Sequence, residues 1–153
     1  MTQPTKIRAN ICTIVCDASH CQHTKAGGWA AWVVANGNRF KHSGSFKELC
    51  ATPHIAEIQA ALNGLFIATR NVDARRYHFV MDCRGAMNAL KHQAEWKAKV
   101  VEMAGDAEIT FAHVKAHTNG TKARDYVNNW CDKQARRAMH RKKGEIREGT
   151  STR

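Results

Sequence analysis

The order of strand-like and helical segments along this 153-residue chain is the feature that most restricts its fold. Three strand-like segments come first, and Asn36-Gly37-Asn38 between the second and third is a strong hairpin signal. Helices and strands then alternate. The predicted strands are 11–17, 27–35, 39–46, 77–82 and 108–114, and the predicted helices are 52–69, one or two within 83–104, and 123–143. An antiparallel meander followed by alternating helices and strands predicts an α/β fold with a mixed sheet.

The first predicted helix carries an acidic residue next to its apolar face. Thr52 and Pro53 are typical of a helix start. Apolar residues then recur at helical spacing, at Ile55, Ile58, Leu62, Leu65 and Phe66. Glu57 lies beside that stripe, in line with the small residues Ala60, Ala61 and Gly64. Because small residues permit close packing, we expect the backbone near Glu57 to lie close to the sheet.

The chain is strongly basic, with a formal charge of +11 and an isoelectric point of about 9.7. The last 18 residues hold seven Lys or Arg against two Glu. This charge predicts an anionic partner, with nucleic acid ahead of membrane. The alternative is a solvated tail that only aids solubility. We expect a short N-terminal extension over 1–9, one domain over 10–143 and a basic, flexible tail over 144–153.

No stretch of the sequence approaches the roughly 18 apolar residues that a membrane span requires, and the N-terminus has no apolar signal region. We therefore expect a cytoplasmic protein with no membrane partner. The six cysteines lie mostly inside apolar runs, which indicates reduced, buried thiols. Residues 15–23, VCDASHCQH, also suggest a zinc site. Cys16, Cys21 and His23 could form one half of such a site, but no second pair of ligands follows.

Two predicted strands end at an aspartate, the first at Asp17 and the fourth at Asp82. A helical crossover makes such strands parallel, so both carboxylates would reach the same edge of the sheet, where open α/β sheets bind ligands. Each aspartate could instead be a turn residue or helix cap. Asp132 borders the apolar face of the last helix, with Arg136 one turn later as a structural partner and a divalent cation as a functional one.

Several carboxylates that converge on one point repel each other unless positive charge lies between them. A ligand set of oxygen atoms alone favours magnesium or manganese over zinc. Two such ions, about 3.5–4 Å apart, can hold and activate a phosphodiester. This chemistry fits a basic protein, so the acidic residues and the net charge both indicate a nucleic-acid substrate.

The residues around these acids resemble those of a type 1 ribonuclease H. The similar segments are VCDAS with Asp17, PHIAEIQAALNGL with Glu57, FVMDCRGAM with Asp82, and VKAHTNGTKARDYVNNWCDKQAR with His117 and Asp132. They occur in the family's order and span roughly residues 11–136. The resemblance implies a five-stranded mixed sheet of order 3-2-1-4-5, with its first three strands antiparallel and helices flanking it. It also implies hydrolysis of the RNA strand of RNA:DNA hybrids, which leaves 5′-phosphate and 3′-hydroxyl ends.

The same resemblance implies a role for each site residue. The four acids Asp17, Glu57, Asp82 and Asp132 would hold two Mg²⁺ ions, with Mn²⁺ as a substitute, and His117 would aid product release or relay a proton. The implied substrate contacts are Ser19, His20, His54, Arg84 and Asn128. We expect no organic cofactor and a monomeric protein.

This sequence departs from the family pattern at several places. His54 and Arg84 replace the more usual asparagine and glutamine, which leaves the substrate preference open. The segment from His117 to Asp132 is longer than in the family pattern, and Asp125 within it is a possible substitute carboxylate. His113 lies within a predicted strand and is expected to be a core or edge histidine. Two alternatives stay open: a non-catalytic nucleic-acid-binding protein, and a related nuclease with another substrate.

Overall fold

The structure is a computed structural model that describes residues 5–115 and 123–151. Its five strands are β1 (Ile7–His20), β2 (Gly27–Ala35), β3 (Asn38–Ser45), β4 (Val72–Met81) and β5 (Glu108–His113). Its four helices are α1 (Pro53–Asn71), α2 (Arg84–His92), α3 (Ala94–Ala104) and α4 (Ala123–Ser151). None of the described helices is long and apolar enough to cross a membrane.

The five strands form one mixed sheet in the order β3-β2-β1-β4-β5. The pairs β1–β2 and β2–β3 are antiparallel, whereas β1–β4 and β4–β5 are parallel. The predicted α/β class, strand order and antiparallel meander are therefore confirmed. The turn between β2 and β3 has positive φ at both Asn36 and Gly37, the conformation that a two-residue hairpin with matching strand twist requires.

Helix α1 covers one face of the sheet and forms the main hydrophobic core with it. Large side chains that the sheet and α1 bury together include Ile14, Val33, Ile58, Leu65 and Phe79. Thr52 caps α1, because its hydroxyl accepts a hydrogen bond from the backbone N–H of Ile55 at 3.1 Å. A Cβ atom added to Gly64 would lie 2.8 Å from Cγ2 of Ile14, so the predicted close approach of α1 to the sheet is present.

The buried face of α1 differs from the predicted stripe at one end. Phe66 is 51% exposed, while Ala56, Ala60, Ala61, Gly64 and Ala68 are buried. Small residues thus supply much of the surface that contacts the sheet, because the helix lies too close to admit larger side chains. The prediction that Phe66 belongs to the buried stripe was wrong.

Helix α4 covers the opposite face, where it crosses β1, β2 and β3. Cys131 and Ala135 pack there against Ala30 and Trp32. A Cβ atom on Gly28 would lie 2.2 Å from the carbonyl oxygen of Ala135, so β2 and α4 are in backbone contact at this glycine. This contact fixes the position of α4 relative to the sheet.

Several predicted boundaries differ from the structure. β1 begins at Ile7, within the predicted N-terminal extension, because it pairs in parallel with β4 from Val72 onward. It also continues to His20, so Ser19 and His20 lie in the strand rather than after it. α4 continues to Ser151, whereas we predicted a flexible tail after residue 143. The division into an extension, a domain and a tail stays a prediction.

Candidate active site

Three acidic side chains meet at the carboxyl edge of the parallel strands. Asp17 lies near the end of β1, Asp82 directly follows β4, and Glu57 lies in the second turn of α1. Their carboxylate oxygens all lie within 4.8 Å of one another. The register places Val15 of β1 beside Val80 of β4, so two residues further along each strand Asp17 and Asp82 are neighbours. The structure therefore brings together three of the four predicted acids, called here the acid cluster.

Burial and mutual repulsion raise the proton affinity of this cluster. The pKa of Asp17 rises to about 7, mainly because the carboxyl group is buried and also because Asp82 is close. The backbone N–H of Ala18 donates to Oδ1 of Asp17 at 2.9 Å and partly opposes this rise. The pKa of Glu57 rises to about 10, again mainly through burial, with further contributions from Asp17 and Asp82. Close, desolvated carboxylates of this kind are stabilised by a bound cation.

The donor set of the cluster fits a hard divalent cation. All three groups offer carboxylate oxygen, which suits Mg²⁺ or Mn²⁺. Asp17 and Asp82 also line a cavity of about 20 Å³. A space of this size holds a water molecule or a small ion. Among the described residues no cysteine or histidine belongs to a group of three that could hold a metal, so the structure gives the zinc hypothesis no support.

Asp132 reaches the same cavity from α4 but stands apart from the three clustered acids. Its Oδ2 atom accepts a hydrogen bond from Nη2 of Arg136 at 2.7 Å, the structural partner that the sequence suggested. Asp132 still contributes to the raised pKa of Asp17, after burial and the closer Asp82, so the two carboxylates interact electrostatically. Asp132 is thus placed to join the acid cluster while Arg136 balances its charge.

The comparisons with known proteins identify the family. The sequence matches the family model for RNase H over residues 9–140. The chain belongs to the ribonuclease H family. No protein of curated function matches the sequence significantly. The cavity and its acids are therefore the candidate active site of a ribonuclease H-type nuclease.

Two solved ribonuclease H structures resemble the fold. One is the N-terminal ribonuclease H domain of Rv2228c from Mycobacterium tuberculosis, with 16% identity and a TM-score of 0.70 over 90% of this chain and 99% of that chain. The other is ribonuclease H1 from the halophilic archaeon Halobacterium salinarum NRC-1, with 15% identity and a TM-score of 0.64 over 86% of this chain and 98% of that chain. At such low identity these structures support the ribonuclease H fold alone.

The residues that the family resemblance assigned to substrate contact lie around the acid cluster. Asn128 of α4 lines the cavity itself. His54, in the first turn of α1, and Arg84, the first residue of α2, are both exposed. His54 lies close to the start of α2, because a Cβ on Gly85 would lie 2.9 Å from Cε1 of His54. Of these three residues, Asn128 is the one that the structure places in the cavity itself.

Ser19 and His20 lie at the end of β1, two and three residues beyond Asp17. The His20 ring is partly buried, and its Nε2 atom donates to the carbonyl oxygen of Cys50 at 2.8 Å. Its Nδ1 atom is buried and has no partner among the described residues. His20 therefore ties β1 to the segment before α1, in addition to any contact with substrate.

His117 lies outside the described residues, so its predicted role stays a prediction. Asp125 is buried at the start of α4 but is not one of the three clustered acids. His113 lies at the end of β5, and its Nε2 atom donates to the backbone carbonyl of Asp82 at 3.1 Å. It is an exposed edge histidine, and this bond helps to position Asp82.

Sequence reasoning missed two further residues of the cleft. Lys115 and Asn129 both line the cavity beside Asp82 and Asp132. Lys115 immediately follows the predicted fifth strand, and Asn129 is adjacent to the predicted Asn128. Both signals were present in the sequence, but a strand-end lysine and a helical asparagine are common without function.

Proposed function

We propose that this protein is an endoribonuclease that hydrolyses the RNA strand of RNA:DNA hybrids with two divalent cations, Mg²⁺ or Mn²⁺, and leaves 5′-phosphate and 3′-hydroxyl ends. The observation that carries this proposal is the convergence of Asp17, Glu57 and Asp82 within 4.8 Å at a buried edge of the sheet. Buried, adjacent carboxylates are costly for folding alone, and they are suited to hold cations at a phosphodiester.

The acid cluster and Asp132 would hold the cations. Bound divalent cations lower the pKa of water and neutralise charge on the scissile phosphate. Buried Asp17 and half-buried Glu57 and Asp82 would provide oxygen ligands, and Asp132 would contribute the carboxylate oxygen that Arg136 does not engage. The hydrogen bond from His113 to the carbonyl oxygen of Asp82 would help to fix the backbone at this ligand.

The surrounding residues would bind and orient the hybrid. Asn128 and Lys115 line the cavity and can bind phosphate or ribose oxygens there. Ser19, His20, His54 and Arg84 flank it, where they can contact 2′-hydroxyl groups and backbone phosphates. The 2′-hydroxyl is the group that separates RNA from DNA, so these contacts would select the strand that is cut. His117 would assist product release or proton transfer. The monomeric state and cytoplasmic location stay predictions.

A cleavage assay on four end-labelled substrates tests this proposal. The substrates are an RNA:DNA hybrid, duplex RNA, duplex DNA and single-stranded RNA, each incubated with Mg²⁺, with Mn²⁺ or with a chelator. We expect cleavage of the RNA in the hybrid alone, dependent on the cation and leaving 3′-hydroxyl ends. Tight hybrid binding without turnover would support the non-catalytic alternative, and cleavage of another duplex would support the related nuclease.

A further inference from the structure

Helix α4 carries a row of cations that begins at the active site. The row consists of Arg136, Lys143 and Arg147. These residues follow Asp132 at spacings of four, seven and four, so all four lie on one face of the helix. His140 lies between them on the same face. Arg136 bonds directly to Asp132, which places the start of the row at the cavity. At a rise of about 1.5 Å per residue, the row extends roughly 22 Å from Asp132 to Arg147.

Helix α4 stays at the active-site edge of the sheet from Asp132 to Lys142, which covers most of the row. α4 crosses β2 where Gly28 meets the backbone of Ala135, close to the carboxyl end of β1. Further along, the hydroxyl of Ser45 donates to the carbonyl oxygen of Ala138 at 2.7 Å. Nζ of Lys142 then donates to the carbonyl oxygen of Lys47 at 3.3 Å. These bonds anchor the second half of α4 to the segments that surround the cleft.

The surroundings of Lys143 indicate where the middle of the row lies. The pKa of the Cys21 thiol is lowered to about 7, mainly by hydrogen bonds with Thr24, and Lys143 contributes to this shift. Cys21 directly follows β1, four residues after Asp17. Lys143 is therefore near the turn after β1, at the edge of the sheet that carries the acid cluster, in agreement with the bond from the adjacent Lys142 to Lys47.

The cations of the row are largely unneutralised. Arg136 is the only one with an ion pair to another described residue. Arg136 and Arg147 are exposed, and Lys143 is half-buried. An electropositive row that starts at a phosphodiester-cleaving site and extends along the same edge complements a polyanionic strand that leaves that site.

We infer that the row Arg136, Lys143 and Arg147 binds backbone phosphates of the nucleic acid beyond the cleavage site and so lengthens the substrate footprint by roughly six base steps, given about 3.4 Å per step. This inference rests on the proposed function, because the strand is assumed to enter at the acid cluster. A strand that reaches the row releases counterions from each phosphate contact, so its binding is more sensitive to salt.

A second row on the same helix supplies a matched control. Arg137 and Arg141 are spaced by four residues and are exposed. The helical repeat turns them about 100–140° away from the centre of the row that contains Asp132. The variant Lys143→Gln/Arg147→Gln and the control Arg137→Gln/Arg141→Gln remove the same charge from the same helix. A general effect of net charge would act on both equally.

The experiment measures hybrid binding by fluorescence anisotropy in an Asp17→Asn background, so that the substrate stays intact. Affinity for a long hybrid of about 24 base pairs is measured as salt rises from about 50 to 200 mM, and compared with a short hybrid of about 8 base pairs. Loss of two phosphate contacts should lower the slope of log affinity against log salt by about 1.8, so the parent loses about twelvefold more affinity than Lys143→Gln/Arg147→Gln across this range.

With the long hybrid, the control pair should keep the parent slope, and with the short hybrid the difference between the two variants should disappear. Thermal unfolding verifies that both variants are folded. Equal slopes for the two variants, or an equal change in both, would overturn the inference. Failure of the otherwise unaltered protein to cut hybrid would overturn the proposed function instead, and the binding slopes would still report on the row.

Discussion

The two ends of the sheet both carry polar clefts, but they surround their charges differently. At the carboxyl edge, Asp17 is 8% exposed and borders a cavity of about 20 Å³ with other acids. At the opposite end, Asp73 lies in an open groove of about 430 Å³ that Arg8 and Arg75 also line, and all three side chains are exposed. The larger cleft is therefore the one with solvated, mixed charges.

This difference shows what identifies a functional site in this fold. An exposed aspartate beside arginines needs no further partner, since water and the arginines satisfy it. Desolvated acids whose pKa values are raised by burial and by a neighbouring carboxylate are stabilised by a cation from outside the chain. Desolvated like charges, rather than the size of a cleft, mark the candidate active site.

The largest expected effect comes from matched aspartate substitutions at the two ends. Asp17→Asn or Asp82→Asn should lower hybrid cleavage by about 10³-fold or more, since each removes a charged ligand from the reacting centre. Asp73→Asn, the same chemical change at the open groove, should leave the rate within about twofold, because exposed substitutions have small effects. Initial rates of RNA cleavage at saturating Mg²⁺ measure this contrast. Comparable losses of activity in Asp17→Asn and Asp73→Asn would mean that the buried acids have no special role in cleavage.

The next effect concerns glycines at the two ends. Gly28→Ala would place a methyl group 2.2 Å from the carbonyl oxygen of Ala135, so α4 must move away from β2 and carry Asp132 with it. We expect a loss of about 3 kcal/mol in the free energy of unfolding, together with lower activity. Gly37→Ala meets no atom within 4 Å and is strained only by its φ of +79°, for a loss of about 1 kcal/mol. Urea unfolding and cleavage rates of both variants test this pair.

Asp17 is expected to have a smaller effect on the stability of the cation-free protein and on its dependence on pH. The pKa of Asp17 rises from 3.8 to about 7 on folding, so the folded protein binds the extra proton between these pH values. Stability of the cation-free protein should therefore fall as pH rises through this window. Asp17→Asn removes the penalty and should raise Tm at pH 8 but not at pH 4, by roughly 2–4 °C for each kcal/mol relieved. Asp73→Asn should raise Tm at neither pH in the same thermal scans.

Asparagine in place of Asp17 should also change the response to Mg²⁺. Cation binding to the folded state stabilises the parent protein at pH 8, whereas the variant has lost a ligand and should gain less stability from the cation. A variant that is destabilised in chelator at pH 8 would contradict the role of repulsion among the acids.

The smallest effect is expected where an ion pair is exposed. The bond between Arg76 and Glu108, at 3.2 Å, lies on the surface of β4 and β5 with both side chains more than 40% exposed. Glu108→Gln should change stability by less than about 0.5 kcal/mol and leave cleavage unaltered. Asp132→Asn breaks the other bridge at the cleft, and there cleavage should fall even if stability changes little. If Glu108→Gln and Asp132→Asn changed the cleavage rate equally, Asp132 would have no role in the active site.

The parts of the fold that local patterns determine were predicted well from the sequence. Asp17 and Asp82 were recognised because each follows a run of β-branched and apolar residues, and the parallel pairing then places them side by side. The β2–β3 turn was recognised from Asn36 and Gly37, since both residues tolerate positive φ. The small residues in line with Glu57 predicted that its backbone lies close to the sheet, whereas its place among the metal ligands came from the family resemblance.

Other features depend on pairing partners that no local pattern contains. β1 continues to His20 because it pairs there with Gly27 of β2. The turn after His20 contains no Gly, Pro or Asn, so the sequence has no local signal that marks where the strand ends. β4 begins at Val72 rather than at Tyr77, and buried and exposed residues alternate from Val72 onward. The charged residues of this segment are typical of a loop, so the sequence did not predict the earlier start. The acids themselves were visible in the sequence, but the bond from His113 to Asp82 required the β4–β5 register.

Direct titration of the protein with Mn²⁺ or Mg²⁺ by calorimetry tests the central claim, that the buried acids form a divalent-cation site. We predict saturable binding at pH 8 that weakens toward pH 6, because protons compete for the raised pKa of Asp17, and that is lost in Asp17→Asn/Asp82→Asn while Asp73→Asn retains it. Undiminished binding in the double variant, or equal loss in Asp73→Asn, would contradict this account.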